Sequence, residues 1–308
     1  LMCTLFGWRA VFVVPLVGGI VVAAAGVKLV QNVGERSNTT LDILSVVLLA
    51  AGITAFVYSV GEFSTNLIAG IVMLFAAIVL LGLFAARQLK LEHPVLNVRP
   101  MASVRFWPAC LLVVVSMMTT FSMSVLLPLY FEGAYGMTAL VAGLLILPAI
   151  ACNAVTSIVG GRVMDARGAW PLLPVGFALI AVGQTAISMT AASMNIGVVV
   201  ALTVVVYAGV GLVLSPSQTA GLETLPVAEH PHGTALLNTW NMIAASFGPS
   251  LFIGLLSSSA ATAGAAGVAT DVAQAIGFAT AVRVAAVIAV VGFATSLVYA
   301  RRESHMSH

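Results

Sequence analysis

The residues whose side chains are best suited to do chemistry form a short charged hairpin. A single carboxylate, Asp165, stands between Arg162 and Arg167, and the segment begins and ends with glycine, Gly161 and Gly168. The carboxylate could cap backbone N–H groups where a helix has ended, or pair with one of the two guanidinium groups. Gly161 would permit a close helix approach, and Gly168 could adopt the positive φ of a tight turn. Because apolar runs flank the hairpin, its pattern is typical of a turn at a membrane surface.

A second set of polar side chains lies inside the apolar runs. A polar group in hydrocarbon is unfavourable, so such side chains usually face the interior of a helix bundle. They either form hydrogen bonds between helices, worth about 0.6 kcal/mol on average, or line a shared cavity. The candidates are Asn153, Gln184, Gln218, Asn238 and Asn241, with Trp240 and Tyr207 as amphipathic aromatic residues.

Four prolines fall within or near the ends of the apolar runs. Proline removes one helical hydrogen bond and bends the helix, which a protein with moving helices can use. The predicted kinks are at Pro128, Pro148, Pro216 and Pro249.

The composition indicates which elements must position these residues. Of 308 residues, 61% are hydrophobic and 7% are charged, against about 25% charged in ordinary soluble domains. So few charged side chains cannot cover a soluble protein of this size, and lipid must be the solvent for most of the surface. The net charge is +2 and the basic residues are spread thinly along the chain, so nothing indicates a nucleic-acid partner and none is expected. Cys3, Cys110 and Cys152 lack metal-like spacing and are interpreted as small apolar residues.

Nine stretches are long and apolar enough to span a bilayer as helices, since spanning takes about 20 apolar residues. The fold class is therefore an all-α integral membrane protein with nine transmembrane helices. Residues 258–277, rich in Ala and Gly, are predicted to be an exposed loop or an interfacial segment. The predicted spans are residues 11–30, 41–60, 67–86, 106–131, 139–159, 171–189, 196–216, 234–257 and 278–300.

The basic residues predict the orientation of these spans. Nine spans place the two termini on opposite faces, and a cytoplasmic C-terminus would put ten of the 12 Lys and Arg residues inside, leaving Arg9 and Arg283 outside. This bias follows the positive-inside rule and predicts a multi-pass protein of the plasma or inner membrane. The residues placed inside are Lys28, Arg36, Arg87, Lys90, Arg99, Arg105, Arg162, Arg167, Arg301 and Arg302.

Five short motifs occur in order along nearly the whole chain. They are Gly7-Trp8-Arg9; Leu126-Leu127-Pro128-Leu129-Tyr130 with Tyr135-Gly136 and Ala142-Gly143; Gly161-Arg162 with Asp165 and Gly168; Pro216-Ser217-Gln218-Thr219-Ala220-Gly221-Leu222; and Pro231-His232-Gly233-Thr234-Ala235 with Asn238-Thr239. Each motif alone is weak, but together and in this order they resemble the major facilitator superfamily, specifically its fourteen-helix drug:proton antiporter branch and the bacterial multidrug and lincomycin-type exporters. Asn241-Met242 and Ala244-Ala245 depart from the family's Arg-Gln and Gly-Gly.

The resemblance implies a division of the chain into three parts. Residues 1–36 would hold the last helix of an N-terminal bundle, residues 37–92 a central two-helix insertion, and residues 93–308 a six-helix C-terminal bundle. The chain begins with Leu1 rather than Met, so it would start inside a longer protein. The first five helices of that protein, about 150 residues, would be absent from this chain. The missing N-terminal bundle would then be a partner, together with the lipid bilayer, a small-molecule substrate and protons.

The resemblance also implies a function, drug export driven by the proton gradient through alternating access, with no cofactor. The hairpin would be a latch that breaks and reforms as two bundles rock, although a topological anchor is the simpler interpretation. The polar set would form a wide, weakly polar cavity suited to amphipathic drugs. Proton coupling needs a titratable group within the membrane, and all ten acidic residues lie at segment ends or in loops. The coupling carboxylates are therefore expected in the missing helices.

Two alternatives remain open. A nutrient or metabolite carrier could share the fold, because fold does not fix substrate. An intramembrane enzyme is remote, because the sequence has no GxSxG, HExxH or DDxxD pattern. A channel is also disfavoured, since no glycine-rich filter or ring of charges stands out.

Overall fold

The computed structural model describes residues 10–29, 42–62, 66–91 and 94–304. Within these ranges the chain forms nine α-helices and no strand, which confirms the all-α prediction. Cys3, the motif at residues 7–9, Arg36, His93, His305 and His308 lie outside the described residues. The helices are α1 (Ala10–Leu29), α2 (Ile43–Glu62), α3 (Leu67–Lys90), α4 (Phe106–Tyr135), α5 (Ala139–Arg167), α6 (Leu172–Thr190), α7 (Ile196–Glu223), α8 (His230–Ala265) and α9 (Thr270–Ser304).

Eight of these helices, α2 to α9, are long and apolar enough to cross a membrane. In α1 the apolar stretch Pro15–Gly26 is shorter. The helix ends follow local chemistry: Asn66 and Asn195 accept hydrogen bonds from backbone N–H groups in the first turns of α3 and α7. Gly136 ends α4 in a left-handed conformation that glycine adopts without strain.

The prediction of a loop at residues 258–277 is wrong. Helix α8 continues to Ala265, α9 begins at Thr270, and only a short turn separates them. The physical reason is that alanine has the highest helix propensity, so an Ala-rich segment extends a helix even where it is too weakly apolar to score as a span. Arg283, which the charge argument assigned to the outer side of the membrane, lies within α9 and is exposed.

The helices from α4 to α9 differ in how deeply they are packed. In α4, 61% of the apolar window is buried, and in α6 56%, against 17% in α5 and 22% in α8. The main hydrophobic core accordingly joins α4, α6, α7 and α9, while α5 and α8 each contribute a narrow seam. The α5 seam packs on α7 where Gly160 meets Gly211; a Cβ on Gly160 would lie 3.2 Å from the Gly211 carbonyl oxygen.

A second hydrophobic cluster lies where α3 ends, α4 begins and α7 turns into α8. We call this the basic end, because Arg87, Lys90 and Arg105 lie there. The connector between α3 and α4 contributes Leu96, and its short 3₁₀ turn, Arg99–Ala102, contributes Met101. The charged connector is thus a packed segment. The remaining members include Phe84, Phe106, Cys110, Val113, Leu225, Leu236, Leu237 and Trp240.

The chain divides into two compact units, Leu1–Leu41 and Asp42–His308. The first unit contains α1, whose side chains from Leu16 to Val22 are exposed apolar groups. The second contains α2 to α9. Within it, α2 and α3 pack on one another, and α2 also contacts α8.

Candidate functional site

The hairpin differs from its prediction in where the helix ends. Helix α5 runs through Asp165 to Arg167, so the carboxylate lies within the last turn rather than beyond the helix. Among the described residues, the exposed Asp165 side chain makes no hydrogen bond and no ion pair, so the expected cap or pairing with Arg162 is absent. The helix ends at Gly168, whose φ of 74° breaks the helical path while its N–H donates to the Met164 carbonyl. The predicted positive φ at Gly168 is confirmed.

The expected close approach at Gly161 is also wrong. A Cβ built on Gly161 would meet no atom within 4 Å, whereas the preceding glycine, Gly160, packs against the α7 backbone. Adjacent helical residues point about 100° apart, so only one of the two glycines can face α7. Glycine is therefore required one position earlier than the motif indicated.

Asn153 on α5 forms a hydrogen bond between helices. Its Nδ2 donates to the Tyr207 carbonyl of α7 at 3.0 Å. This is the simpler of the two interpretations given above for buried polar side chains, and it reinforces the seam that contains Gly160. The bond uses one amide donor, and the half-buried side chain keeps its other polar groups for further contacts.

Three buried side chains have polar atoms without a partner among the described residues. Gln184 on α6 is fully buried, and neither Nε2 nor Oε1 has a hydrogen bond. Asn241 on α8 is 6% exposed, and its Oδ1 is unpartnered. Ser217 on α7, which the sequence argument passed over, is fully buried with an unpartnered Oγ. Most hydroxyls in the described helices, such as that of Thr203, bond to a carbonyl of their own helix, so Ser217 stands apart.

Helix α8 has two faces of different character. Trp240 is partly buried and donates its Nε1–H to the Met101 sulfur of the connector at 3.4 Å. On another face, Asn238, Met242 and Ser246 are exposed at intervals of four residues, so they form one stripe along the helix. The stripe and the buried Asn241 make α8 the helix with the most candidate residues.

The five polar candidates and Trp240 are distributed over α5, α6, α7 and α8, and within the described ranges no hydrogen bond joins the side chains of any two of them. Gln218 is half-buried on α7, beside the unpartnered Ser217. The four predicted kink prolines all lie inside helices. An open groove of about 580 Å³ runs along α2 and includes none of the candidates. In the part of the chain that the structure describes, no cluster of metal-ligating side chains occurs.

Sequence reasoning missed a paired polar cluster at the basic end. Arg87 donates to both carboxylate oxygens of Asp42, at 2.7 and 3.1 Å, and Ser45 donates to the same carboxylate at 2.6 Å. Gln88 donates to Ser45 and accepts the N–H of Leu96 in the connector. Hydrogen bonds from Arg87 and Ser45 lower the pKa of Asp42 from 3.8 to about 2. Asp42 and Arg87 lie 45 positions apart in sequence, and no short-range pattern indicates that they pair.

Comparison with known proteins adds evidence independent of the geometry. The family model of the Major Facilitator Superfamily matches residues 1–249. Lincomycin resistance protein LmrB of Listeria monocytogenes is 30% identical over 81% of this chain and 54% of its own length. The uncharacterized MFS-type transporter YcnB of Bacillus subtilis is 31% identical over 94% and 62%. Riboflavin transporter RibZ of Clostridioides difficile is 22% identical over 80% and 54%. The chain thus spans between about half and two thirds of the relatives' lengths.

Proposed function

Because the chain belongs to the Major Facilitator Superfamily, we propose that it forms part of a secondary active transporter that exports amphipathic drugs in exchange for protons. The family match and the eight helices long enough to span a membrane indicate a multi-pass membrane protein of a transporter family. Its relatives include lincomycin-resistance and multidrug-resistance proteins. The substrate class, the coupling to protons and the alternating access are the proposal.

The observation that carries the proposal is the contrast between the exposed faces of α5 and α8. On α5, Leu140, Leu144 and Leu147 are about half exposed and suit hydrocarbon. On α8, the exposed stripe includes Asn238 and Ser246. An amide exposed to hydrocarbon is unfavourable, so this face is best explained as the wall of a water-accessible passage. The α8 stripe is therefore the proposed substrate surface.

The chemistry of that surface favours amphipathic molecules. Met242 within the stripe is 64% exposed, and its flexible, polarizable side chain can adapt to different apolar shapes. Asn238 can donate and accept hydrogen bonds, and no charged side chain lies among the α8 candidates to select an ionic substrate. This combination supports bulky, weakly polar ligands better than sugars or amino acids, and the lincomycin-resistance relatives agree with it.

The rest of the mechanism extends the same proposal. The C-terminus faces the cytoplasm, as the distribution of Lys and Arg predicts. The described carboxylates lie at helix ends, Glu62 and Asp165 among them. Proton coupling is therefore assigned to carboxylates in a part of the transporter outside these 308 residues, a partner N-terminal bundle. Asp165, exposed and unpaired here, is available to form the latch with that bundle.

Efflux assays with the protein expressed from its complete gene test this function. In cells lacking their own exporters, we expect reduced accumulation of lincomycin or of another amphipathic drug, and a protonophore should abolish the difference. Asp165→Asn should reduce efflux by roughly tenfold, the size of one lost charge-assisted hydrogen bond, at an unchanged protein level in the membrane. Asp271→Asn, an exposed carboxylate in the first turn of α9, is the matched control. Unchanged efflux in Asp165→Asn would refute the latch.

A second candidate is a carrier of nutrients or metabolites with the same fold. The riboflavin transporter among the relatives is the observation that favours it. Including riboflavin in the transport panel separates the two: uptake or export of riboflavin without any effect on drug accumulation would replace drug export by this function.

A further inference from the structure

Helix α8 is held from outside the six-helix bundle at two points on one face. Phe56 of α2 stacks on Phe247 of α8, with ring centroids 5.5 Å apart and an interplanar angle of 24°. Seven residues earlier on α8, Trp240 donates its N–H to Met101 of the connector. Seven residues make nearly two helical turns, so Trp240 and Phe247 lie on the same side of α8. One face of α8 is therefore fixed by α2 and by the connector.

Hydrogen bonds also link α2 and the connector, the two elements that contact this face of α8. The Met101 sulfur also accepts a hydrogen bond from Cys110 of α4 at 3.8 Å. Earlier in the connector, the Leu96 N–H donates to the Gln88 side chain of α3, and Gln88 donates to Ser45 of α2. A hydrogen-bonded path thus runs from α2 through α3 into the connector.

The segment of α8 that is held is the one that carries the proposed substrate surface. Asn238, Met242 and Ser246 all lie between His230 and Phe247. Gly248 follows directly and packs closely on α4, where an added Cβ would lie 3.3 Å from the Met118 Cα. Pro249 comes next and removes one helical hydrogen bond. The held segment therefore ends where α8 is most easily bent.

We propose that Phe56 and Met101 are positioning residues for substrate binding, and that the α2–α3 pair and the connector set the orientation of the substrate face of α8. This inference rests on the proposed transport function. It assigns a role to two helices that lie outside the six-helix bundle: they fix the tilt of the segment before Pro249 and thereby the position of Asn238.

Transport kinetics in proteoliposomes, with the complete protein and a substrate that the wild type moves, test the proposal. Phe56→Ala and Met101→Ala should raise KM about two- to tenfold, the range expected for losing one aromatic or comparable contact. The expected kcat and thermal unfolding midpoint stay near the wild-type values, and Phe56→Tyr restores KM. Phe75→Ala and Met189→Ala are matched controls, since those side chains are 69% and 77% exposed. A wild-type KM in both folded variants overturns the proposal, as does a loss of kcat and folded protein with KM unchanged.

Trp240 fluorescence gives a readout that does not depend on transport. Trp240 becomes the only emitter when Trp8, Trp107, Trp170 and any tryptophan outside these 308 residues are replaced by Phe. Met101→Ala should shift the emission of Trp240 to the red, because removing the thioether exposes the indole N–H to water. Phe56→Ala should also shift the Trp240 emission if α2 orients α8, although Phe56 contacts α8 two turns away from Trp240. No shift in Phe56→Ala overturns the positioning role even if transport is found, and a shift in a protein that transports nothing defeats only the proposed function. Phe56→Leu replaces Phe56→Ala if the latter does not fold.

Discussion

Gln88 on α3 and Gln184 on α6 are the buried glutamines of the described chain, with 2% and 0% of their surface exposed. Gln88 uses both ends of its amide, donating to Ser45 and accepting from the Leu96 backbone. Gln184 uses neither end. The two side chains have the same composition and nearly the same burial, and only their neighbours differ.

The difference reflects where free backbone groups occur. Inside a helix every N–H is consumed by the helical ladder, so a side chain packed between regular helices finds no free backbone donor. It can use only other side chains or the second lone pair of a helical carbonyl, as Asn153 does on α7. Gln184 lies in such a position, in a core of aliphatic and aromatic residues. Gln88 lies at the end of α3, beside a connector that is not regular helix and whose Leu96 N–H needs an acceptor. For these two glutamines, the satisfied amide is therefore the one beside the irregular segment.

Gln88→Leu should give the largest effect on stability. It removes the acceptor of a buried N–H and the donor to Ser45, and leaving a buried polar group unpaired lowers the free energy of unfolding by about 1–3 kcal/mol. Thermal unfolding of the purified protein in detergent measures the loss. Gln218→Leu, at a half-buried position on α7, should change the midpoint little. A Gln88→Leu protein as stable as the wild type would show that the bonds at this site contribute nothing.

Gln184→Leu should act in the opposite direction. Its amide is buried without partners, so an apolar side chain of similar size removes a desolvation penalty of roughly 1 kcal/mol or more. The same unfolding measurement should show a higher midpoint. A lower midpoint would mean that Gln184 has a partner in the membrane-embedded protein, and the contrast with Gln88 would then disappear.

The sequence predicts features that depend on neighbouring residues better than contacts between residues far apart in the chain. Hydropathy and turn residues predicted the nine helices of the described residues, and eight of these are long and apolar enough to cross a bilayer. Gln184 was singled out since it interrupts such a segment, whereas Gln88 was overlooked among Arg87 and Lys90 in what reads as a surface linker. Its partner Ser45 is 43 positions away. The motif predicted the turn at Gly168 correctly, but which of the two adjacent glycines packs depends on the α7 surface, and the motif does not encode that surface.

Asn153→Leu tests an intermediate case, a polar side chain with one bond to a neighbouring helix. The bond to the Tyr207 carbonyl should be worth about 0.6 kcal/mol, the average for such contacts in membranes. The unfolding midpoint should therefore fall by less than in Gln88→Leu. Thr156→Val, one turn along the same seam, where the hydroxyl bonds only within α5, is the control. An equal fall of the unfolding midpoint in Asn153→Leu and Gln88→Leu would contradict the expectation that a buried amide with two partners stabilises more than an amide with one.

The smallest expected effect is the acid sensitivity of the cluster that holds Gln88. The pKa of Asp42 is lowered to about 2 by its hydrogen bonds with Arg87 and Ser45. Since the folded pKa lies below the unfolded one, the carboxylate contributes its full stabilisation above about pH 4 and loses it as the pH falls towards 2. The Asp42 and Arg87 side chains are 17% and 39% exposed, so solvent weakens their interaction.

Thermal unfolding between pH 6 and pH 2.5 tests this linkage. Asp42→Asn should lower the midpoint at pH 6 and lack part of the acid-induced fall. Asp271→Asn, which removes an exposed carboxylate outside this cluster, should follow the wild-type curve. If Asp42→Asn and wild type respond to acid identically, the pair contributes nothing to the satisfied cluster, and the stability of the α3 end then rests on Gln88 and the packed connector alone.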